Sequence, residues 1–193
     1  MNHFLDRNYW NTRYKEEATG WDIGYVSTPL KSYIDQLSDK NTSILVPGCG
    51  NAYEAKYLIE SGFMDITLID IAPSLTLKLE QEIGGFCTVI TEDFFKLKGS
   101  FDLILEQTFF CALDPLLREQ YVEKVHELLN AGGKLVGVLF DKEFEHEGPP
   151  FGGMKEEYEK LFASKFHIEV MEECYNSIEP RKGSELFVIL SKK

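Results

Sequence analysis

Between Thr42 and Phe140, short apolar runs alternate with segments of helical periodicity, and this alternation restricts the fold more than any other feature of the chain. Thr42–Val46 reads as a buried strand that ends in Pro47-Gly48. Asn51–Ser61 reads as a helix with Ala52, Ala55, Leu58 and Ile59 on one face. Ile66–Ile69 is a second strand, Pro73–Ile83 a helix, Phe86–Ile90 a third strand and Phe101–Leu105 a fourth. Pro115–Leu129 carries Leu116, Leu117, Tyr121, Val122, Val125, Leu128 and Leu129 at helical spacing, and Gly132-Gly133 is expected to stop that helix before a fifth strand, Lys134–Phe140. Strands that alternate with helices fold as a parallel sheet with helices on both faces, an α/β architecture.

The rhythm changes after Phe140. Lys155–Phe162 reads as a helix, and Phe166–Val170 and Leu186–Leu190 as strands, with the turn Glu179-Pro180-Arg181-Lys182-Gly183 between them. Two closely connected strands at the end of a parallel sheet imply an antiparallel strand at or near its edge. Before Thr42, helices near Asp6–Glu16 and Thr28–Leu37 form a cap. With 193 residues the chain suits one domain, residues 1–193, in which 1–41 are the cap.

Composition excludes several classes of function. A formal net charge of −12 without a basic cluster argues against nucleic acid and against an anionic membrane surface. No run of 18 apolar residues is present, and the first residues lack the blocks of a signal peptide, so a cytoplasmic protein is expected. Cys49, Cys87, Cys111 and Cys174 are scattered; no metal site is expected, and reduced thiols are.

The turn after the first strand is the first candidate site. Gly48 and Gly50 let the backbone approach a ligand with no Cβ in the way, at the strand ends where open α/β sheets bind ligands. A dinucleotide fingerprint needs a third glycine where Tyr53 stands, so a cofactor without phosphates, such as S-adenosylmethionine, fits better than a nicotinamide. Asp70 ends the second strand 20 residues beyond Gly50, and a carboxylate there can accept both ribose hydroxyls. A helix cap or a surface charge is the other reading of Asp70. Asp93, followed by Phe94 and Phe95, can meet an adenine amino group and stack on its ring, although a solvated turn accounts for it equally well. Glu106-Gln107-Thr108-Phe109-Phe110-Cys111 ends the fourth strand beside the same crevice, where Phe109 and Phe110 either line a site or pack in the core.

Ile44-Leu45-Val46-Pro47-Gly48-Cys49-Gly50 resembles the cofactor turn of the thiopurine methyltransferase-like superfamily, in which proline replaces the acidic residue usual in other class I methyltransferases. The segment Phe101 to Pro115, with its Thr108-Phe109-Phe110-Cys111-Ala112, is similar to the halide/thiol (thiocyanate) methyltransferase branch, and so is Gly148-Pro149-Pro150-Phe151. Trp10, Tyr14, Trp21-Asp22-Ile23-Gly24 and Ser27-Thr28-Pro29-Leu30 resemble the aromatic cap of that branch. The likeness runs from about Phe4 to the last strand. It implies a Rossmann-like class I fold: a mostly parallel seven-stranded sheet with an antiparallel C-terminal strand. It also implies S-adenosylmethionine held by Trp10, Tyr14, Trp21, Gly48, Gly50, Asp70, Ile71, Asp93, Phe94 and Gln107. Tyr14 stands where the family commonly has Trp, and Gln107 where plant members commonly have Tyr. Phe151 matches a family Tyr at the acceptor site, and loss of that hydroxyl removes a hydrogen-bond donor beside the nucleophile.

The reaction implied is in-line methyl transfer to a small-molecule acceptor with a soft nucleophile: a thiol, thiocyanate, a halide or a thiopurine-like compound. Proximity alone can supply roughly 7–11 kcal/mol to such a step. No residue is assigned as catalytic. Phe109, Phe110, Phe151, His146 and Arg181 are candidates to line the acceptor site, with His146 also readable as a solvated loop residue and Arg181 as a surface residue. His3 is terminal, His126 lies mid-helix and His167 begins a strand. Other readings are an N- or O-methyltransferase, a non-catalytic cofactor-binding module and, against Tyr53, a nicotinamide oxidoreductase. A monomer is expected.

Overall fold

The computed structural model describes residues 5–193; Met1–Phe4, which include His3, lie outside the described residues. Seven strands form one sheet in the order β3-β2-β1-β4-β5-β7-β6. They are β1 (Ile44–Pro47), β2 (Ile66–Asp70), β3 (Thr88–Thr91), β4 (Phe101–Gln107), β5 (Leu129–Phe140), β6 (Phe166–Glu173) and β7 (Glu185–Lys192). The pairs from β3 to β5 are parallel, and β7 runs antiparallel between β5 and β6. The central strands are apolar on both faces because helices cover both, so they read as continuous hydrophobic runs.

The helices are α1 (Arg7–Lys15), α2 (Thr28–Ile34), α3 (Tyr53–Glu60), α4 (Pro73–Ile83), α5 (Arg118–Leu128) and α6 (Lys155–Ala163). α3 and α4 lie on one face with α2, where Leu30, Ile34, Ala55, Leu58, Leu75 and Leu79 join a core with Ile44, Val46, Ile66 and Leu68. On the other face α5 and α6 bury Tyr121, Val122, Val125, Leu128, Tyr158 and Phe162 against Leu45, Ile104 and Leu135. Each fully buried side chain of this size stabilises the fold by about 1.5–3 kcal/mol.

Several boundaries differ from the sequence reading. The helix expected from Asn51 begins at Tyr53, since Ala52 is left-handed, with φ 58°. Pro115–Leu117 is a separate 3-10 turn capped by Asp114, which leaves Leu116 exposed rather than on the helical face. Gly132-Gly133 do not end α5. The strand begins directly at Leu129 and passes through them, and position 133 needs glycine, since a Cβ there would meet the carbonyls of Asn130, Phe101 and Asp102 at 3.0–3.2 Å. Phe86 is outside β3 and exposed, its N–H closing a turn onto the Ile83 carbonyl at 2.9 Å. α2 ends at Ile34, three residues before Leu37. β4 extends two residues beyond Leu105, through Glu106 and Gln107.

β4 and β5 lie close at Glu106 and Gly137, which are register partners. A Cβ at Gly137 would stand 2.4 Å from both Cβ and the carbonyl oxygen of Glu106. Gly137→Ala is therefore expected to destabilise the protein by about 1–3 kcal/mol, as overpacked cores do. The check is the urea midpoint: a lower value with an unchanged slope supports this, whereas an unchanged midpoint shows that the sheet spreads freely there.

Candidate functional site

The strand order reverses between β1 and β4, and the crevice outside their carboxyl ends is where open α/β sheets bind ligands. Both strands leave the sheet in left-handed turns: Gly48, Gly50 and Ala52 have φ of 54°, 51° and 58° after β1, and Thr108 has 61° after β4. The two turns touch. A Cβ on Gly48 would be 2.2 Å from Cδ2 of Phe109, so glycine is required there both for its conformation and for the space Phe109 occupies.

Asp70, at the end of β2, faces this turn. It is buried and fixed by backbone donors: Ala72 N–H at 2.9 Å on Oδ1 and Gly50 N–H at 3.4 Å on Oδ2. Burial raises its pKa to about 6, against the opposing pull of the N–H groups of Ala72, Gly50 and Ile71. Two carboxylate oxygens offer about four acceptor sites, so capacity remains for hydroxyl donors. Asp93 caps the 3-10 turn Phe94–Lys96 through Phe95 N–H at 3.0 Å, and the Phe94 ring lies 5.1 Å edge-on to Phe109.

At the end of β4, Glu106 is fully buried. Its Oε1 accepts the N–H groups of Phe109 at 2.8 Å and Phe110 at 2.9 Å, and its Oε2 accepts the Tyr121 hydroxyl at 2.7 Å. Gln107 and Thr108 line the crevice, and the buried Oε1 of Gln107 has no hydrogen-bond partner among the described residues. Phe109 is half-buried beside Gly48. Phe110 belongs to the core and not to a ligand site: it is 1% exposed and packed between Tyr121, Tyr158 and Phe162.

The cap closes over this crevice on an aromatic cluster. Trp21 stands edge-on to Trp10 at 5.6 Å and to Tyr14 at 5.9 Å. Burial and the nearby Asp70 push the Tyr14 hydroxyl above its usual range. Polar latches then hold the cap loop. Asp22 accepts from Asn51, in the turn before α3, from Tyr53 (3.3 Å), at the start of α3, and from Gly24 N–H (2.7 Å). The buried Glu54 accepts Ser27 N–H at 3.0 Å, and burial raises its pKa. Arg181 donates to the Trp21 carbonyl at 2.9 Å and pairs with the buried Glu185 at 3.3 Å.

The segment after β5 folds back to the same end of the sheet. Phe151 N–H donates to the Cys111 carbonyl at 2.7 Å, and Arg118 to the Gly152 carbonyl at 2.6 Å. His146 is exposed, its ring 5.2 Å from Phe144, and is not part of the crevice wall. That wall comprises Trp21, Asp22, Ile23, Tyr25, Val46, the Gly48–Asn51 turn, Tyr53, Glu54, Gln107 and Thr108. Burial pushes the Cys49 and Cys111 thiols well above their usual range, so neither is a thiolate nucleophile at neutral pH.

Asp22, Asn51, Glu54, Glu106 and Glu185 were not singled out from the sequence as site residues. Two of them carried a signal: Glu54 lies four residues before Leu58 on the buried face of α3, and Glu106 continues an apolar strand that is covered on both sides. The arrangement suits a nucleoside that carries a cationic tail: a Cβ-free backbone turn, a carboxylate facing it, aromatic rings above and an unsatisfied amide oxygen beside it.

Comparison with known proteins agrees with this geometry. The chain is 29% identical over 184 residues to a probable thiol methyltransferase 2 of Arabidopsis thaliana, covering 91% of this chain and 81% of that protein. It is 24% identical over 217 residues to the thiopurine S-methyltransferase of Acinetobacter baylyi, covering 97% and 100%. The fold matches the 1,6-didemethyltoxoflavin-N1-methyltransferase of Burkholderia thailandensis with a TM-score of 0.78 at 18% identity, over 97% of this chain and 87% of that one. The thiopurine S-methyltransferase family model matches residues 5–191, and the chain belongs to that family of S-adenosylmethionine-dependent methyltransferases.

Proposed function

We propose that this enzyme transfers the methyl group of S-adenosylmethionine to a small soft nucleophile by in-line displacement. A thiol is the preferred acceptor, with thiocyanate, halides and thiopurine-like compounds in the same class. One observation carries the reading: among the described residues the crevice wall holds no histidine or lysine, and its carboxylates Asp22 and Glu54 are already engaged in the bonds that hold the cap loop. An acceptor that must be deprotonated by the protein is poorly served there. A thiol ionises by itself to a few per cent thiolate at neutral pH, which suffices for an intrinsically strong nucleophile.

In this reading Gly48 and Gly50 admit the cofactor to the backbone, and Asp70, beside Ile71, accepts its ribose hydroxyls. Asp93 and Phe94 take the adenine, while Gln107, Trp10, Tyr14 and Trp21 close on the amino-acid end. The bound cofactor supplies an electrophilic methyl group on a sulfonium. The chain orients the two reactants and excludes water; Trp21, in the wall, and Trp10, against it, offer the sulfonium ring faces worth ~0.5–2 kcal/mol. Phe151 and Arg181 face the acceptor end. Phe151 offers no side-chain hydroxyl to a small anion, which favours thiols over halide and thiocyanate. The reading is of a monomer in the cytoplasm; among the described residues, no helix is long and apolar enough to cross a membrane.

Asp70→Ala is expected to abolish most of the rise in melting temperature that S-adenosylhomocysteine gives the purified protein, because a ligand that binds only the folded state stabilises it in proportion to its affinity. An undiminished rise would remove Asp70 from the ribose site. With labelled cofactor, transfer is expected to thiols ahead of thiocyanate and iodide, with none to an arylamine. Transfer to the arylamine alone would overturn the soft-nucleophile reading, and tight cofactor binding with no transfer to any acceptor would point to a binding module.

A further inference from the structure

We propose that Glu106 is a positioning residue for the cofactor crevice: its ionised carboxylate holds the Thr108–Ala112 turn, and with it Phe109 against Gly48, in the arrangement that binds the cofactor. The inference rests on this crevice being the cofactor site. Nothing in the methyl-transfer scheme uses Glu106, yet the β4 turn depends on it. Thr108 is left-handed, with φ 61°, a conformation costly for a β-branched residue that persists only where its surroundings fix it. The fixing contacts are the two N–H bonds from Phe109 and Phe110 to a single oxygen of Glu106. The other oxygen is tied to α5 through Tyr121. Phe109 then stands where a Cβ of residue 48 would be, so a shift of the β4 turn is passed directly to the glycine turn.

Three donors and no acceptor face the carboxylate, which is the pattern of an ionised group. The side chain is nonetheless fully buried, and no lysine or arginine is paired with it among the described residues. Arg118 lies over the Phe110 and Tyr158 rings, and Arg181 is held by Glu185 and the Trp21 carbonyl. From β5 the Gly137 backbone approaches; from the turn, the Cys111 thiol; from α5, the Tyr121 hydroxyl. Burial outweighs the three hydrogen bonds and lifts the Glu106 pKa to about 7. Protonation has to occur on Oε2, since Oε1 already serves two donors. It weakens both backbone bonds, as hydrogen bonds to a charged acceptor are roughly twice as strong as neutral ones, and it turns the Tyr121 hydroxyl away.

The test is the affinity of the full chain for S-adenosylhomocysteine, measured calorimetrically across the pH range on wild type, Glu106→Gln and Tyr121→Phe. In the wild type, affinity is expected to fall by about tenfold between roughly pH 8 and pH 6, as one linked proton requires. Glu106→Gln keeps an acceptor for the two N–H groups and a donor for Tyr121, so it should bind but lose the upper pH step. A lower step from Asp70 remains in all three proteins. Tyr121→Phe removes a donor to the carboxylate and should move the upper midpoint to higher pH. A wild-type profile in Glu106→Gln, an equal loss of affinity at every pH, or an unmoved midpoint in Tyr121→Phe would each overturn the proposal. Should Glu106→Gln fail to fold, the Tyr121→Phe midpoint decides. Absence of binding by the wild type would instead overturn the placement of the cofactor.

Discussion

The site depends on the contact between two turns. Phe109, after β4, occupies the volume that any side chain at residue 48 would need, and residue 48 opens the turn after β1. These strands flank the point where the sheet order reverses, so the contact sets the shape of the crevice floor. Neither turn is a low-energy conformation for an ordinary residue: Gly48, Gly50, Ala52 and Thr108 are all left-handed. Each is held by a buried carboxylate placed behind it. Asp70 receives Gly50 N–H from the first turn, and Glu106 receives Phe109 N–H and Phe110 N–H from the second. The crevice floor is thus built on two buried acids that face inward.

Within the cap, α2 is anchored in the core by Leu30 and Ile34, whereas α1 and the loop after it are held by polar bonds and by the partly buried Trp10 and Tyr14. α1 contributes no buried residue, although Asn11 accepts Ser74 N–H at 2.8 Å from α4. The loop that follows is held by Asp22, by Glu54 and by Arg181, which reaches Trp21 from beyond β6. A few hydrogen bonds at about 0.5–1.5 kcal/mol each are strong enough to order a loop and weak enough to release it. These bonds set Trp21 in the crevice wall, with Trp10 and Tyr14 edge-on against it.

The sheet, its order of elements and the glycine turn were legible in the sequence because buried parallel strands and amphipathic helices leave periodic patterns. Asp70 was legible because its place, 20 residues beyond Gly50 at a strand end, follows from the topology. What was not legible depended on conformation. Ala52 looks like a helix former but is left-handed, so α3 starts at Tyr53. Gly132-Gly133 look like a helix stop but lie within β5. Phe110 and Phe109 are adjacent and chemically alike, yet one is core and the other meets the glycine turn, a division set by the 3-10 turn between them and α5. The latches of Asp22 and Arg181 join positions 29 and 160 residues apart, and no local pattern encodes such pairs.

The charge balance of the buried groups bears on the acceptor. Asp70, Glu54, Glu106 and Glu185 are all buried around the crevice and its supports, while among the described residues Arg181 alone answers them with an ion pair, to Glu185. Unpaired buried carboxylates raise the cost of bringing in a further anion and lower that of a cation, the more so where water is excluded. A sulfonium cofactor gains from that field. In the proposed reading, a halide or thiocyanate would cross it carrying its full charge, with Arg181 to offset it and Phe151 in place of a hydroxyl donor. A neutral thiol would enter without that penalty and become anionic only beside the sulfonium, where the two charges cancel. In the proposed reading, the field that favours the sulfonium also sorts acceptors by their charge on entry.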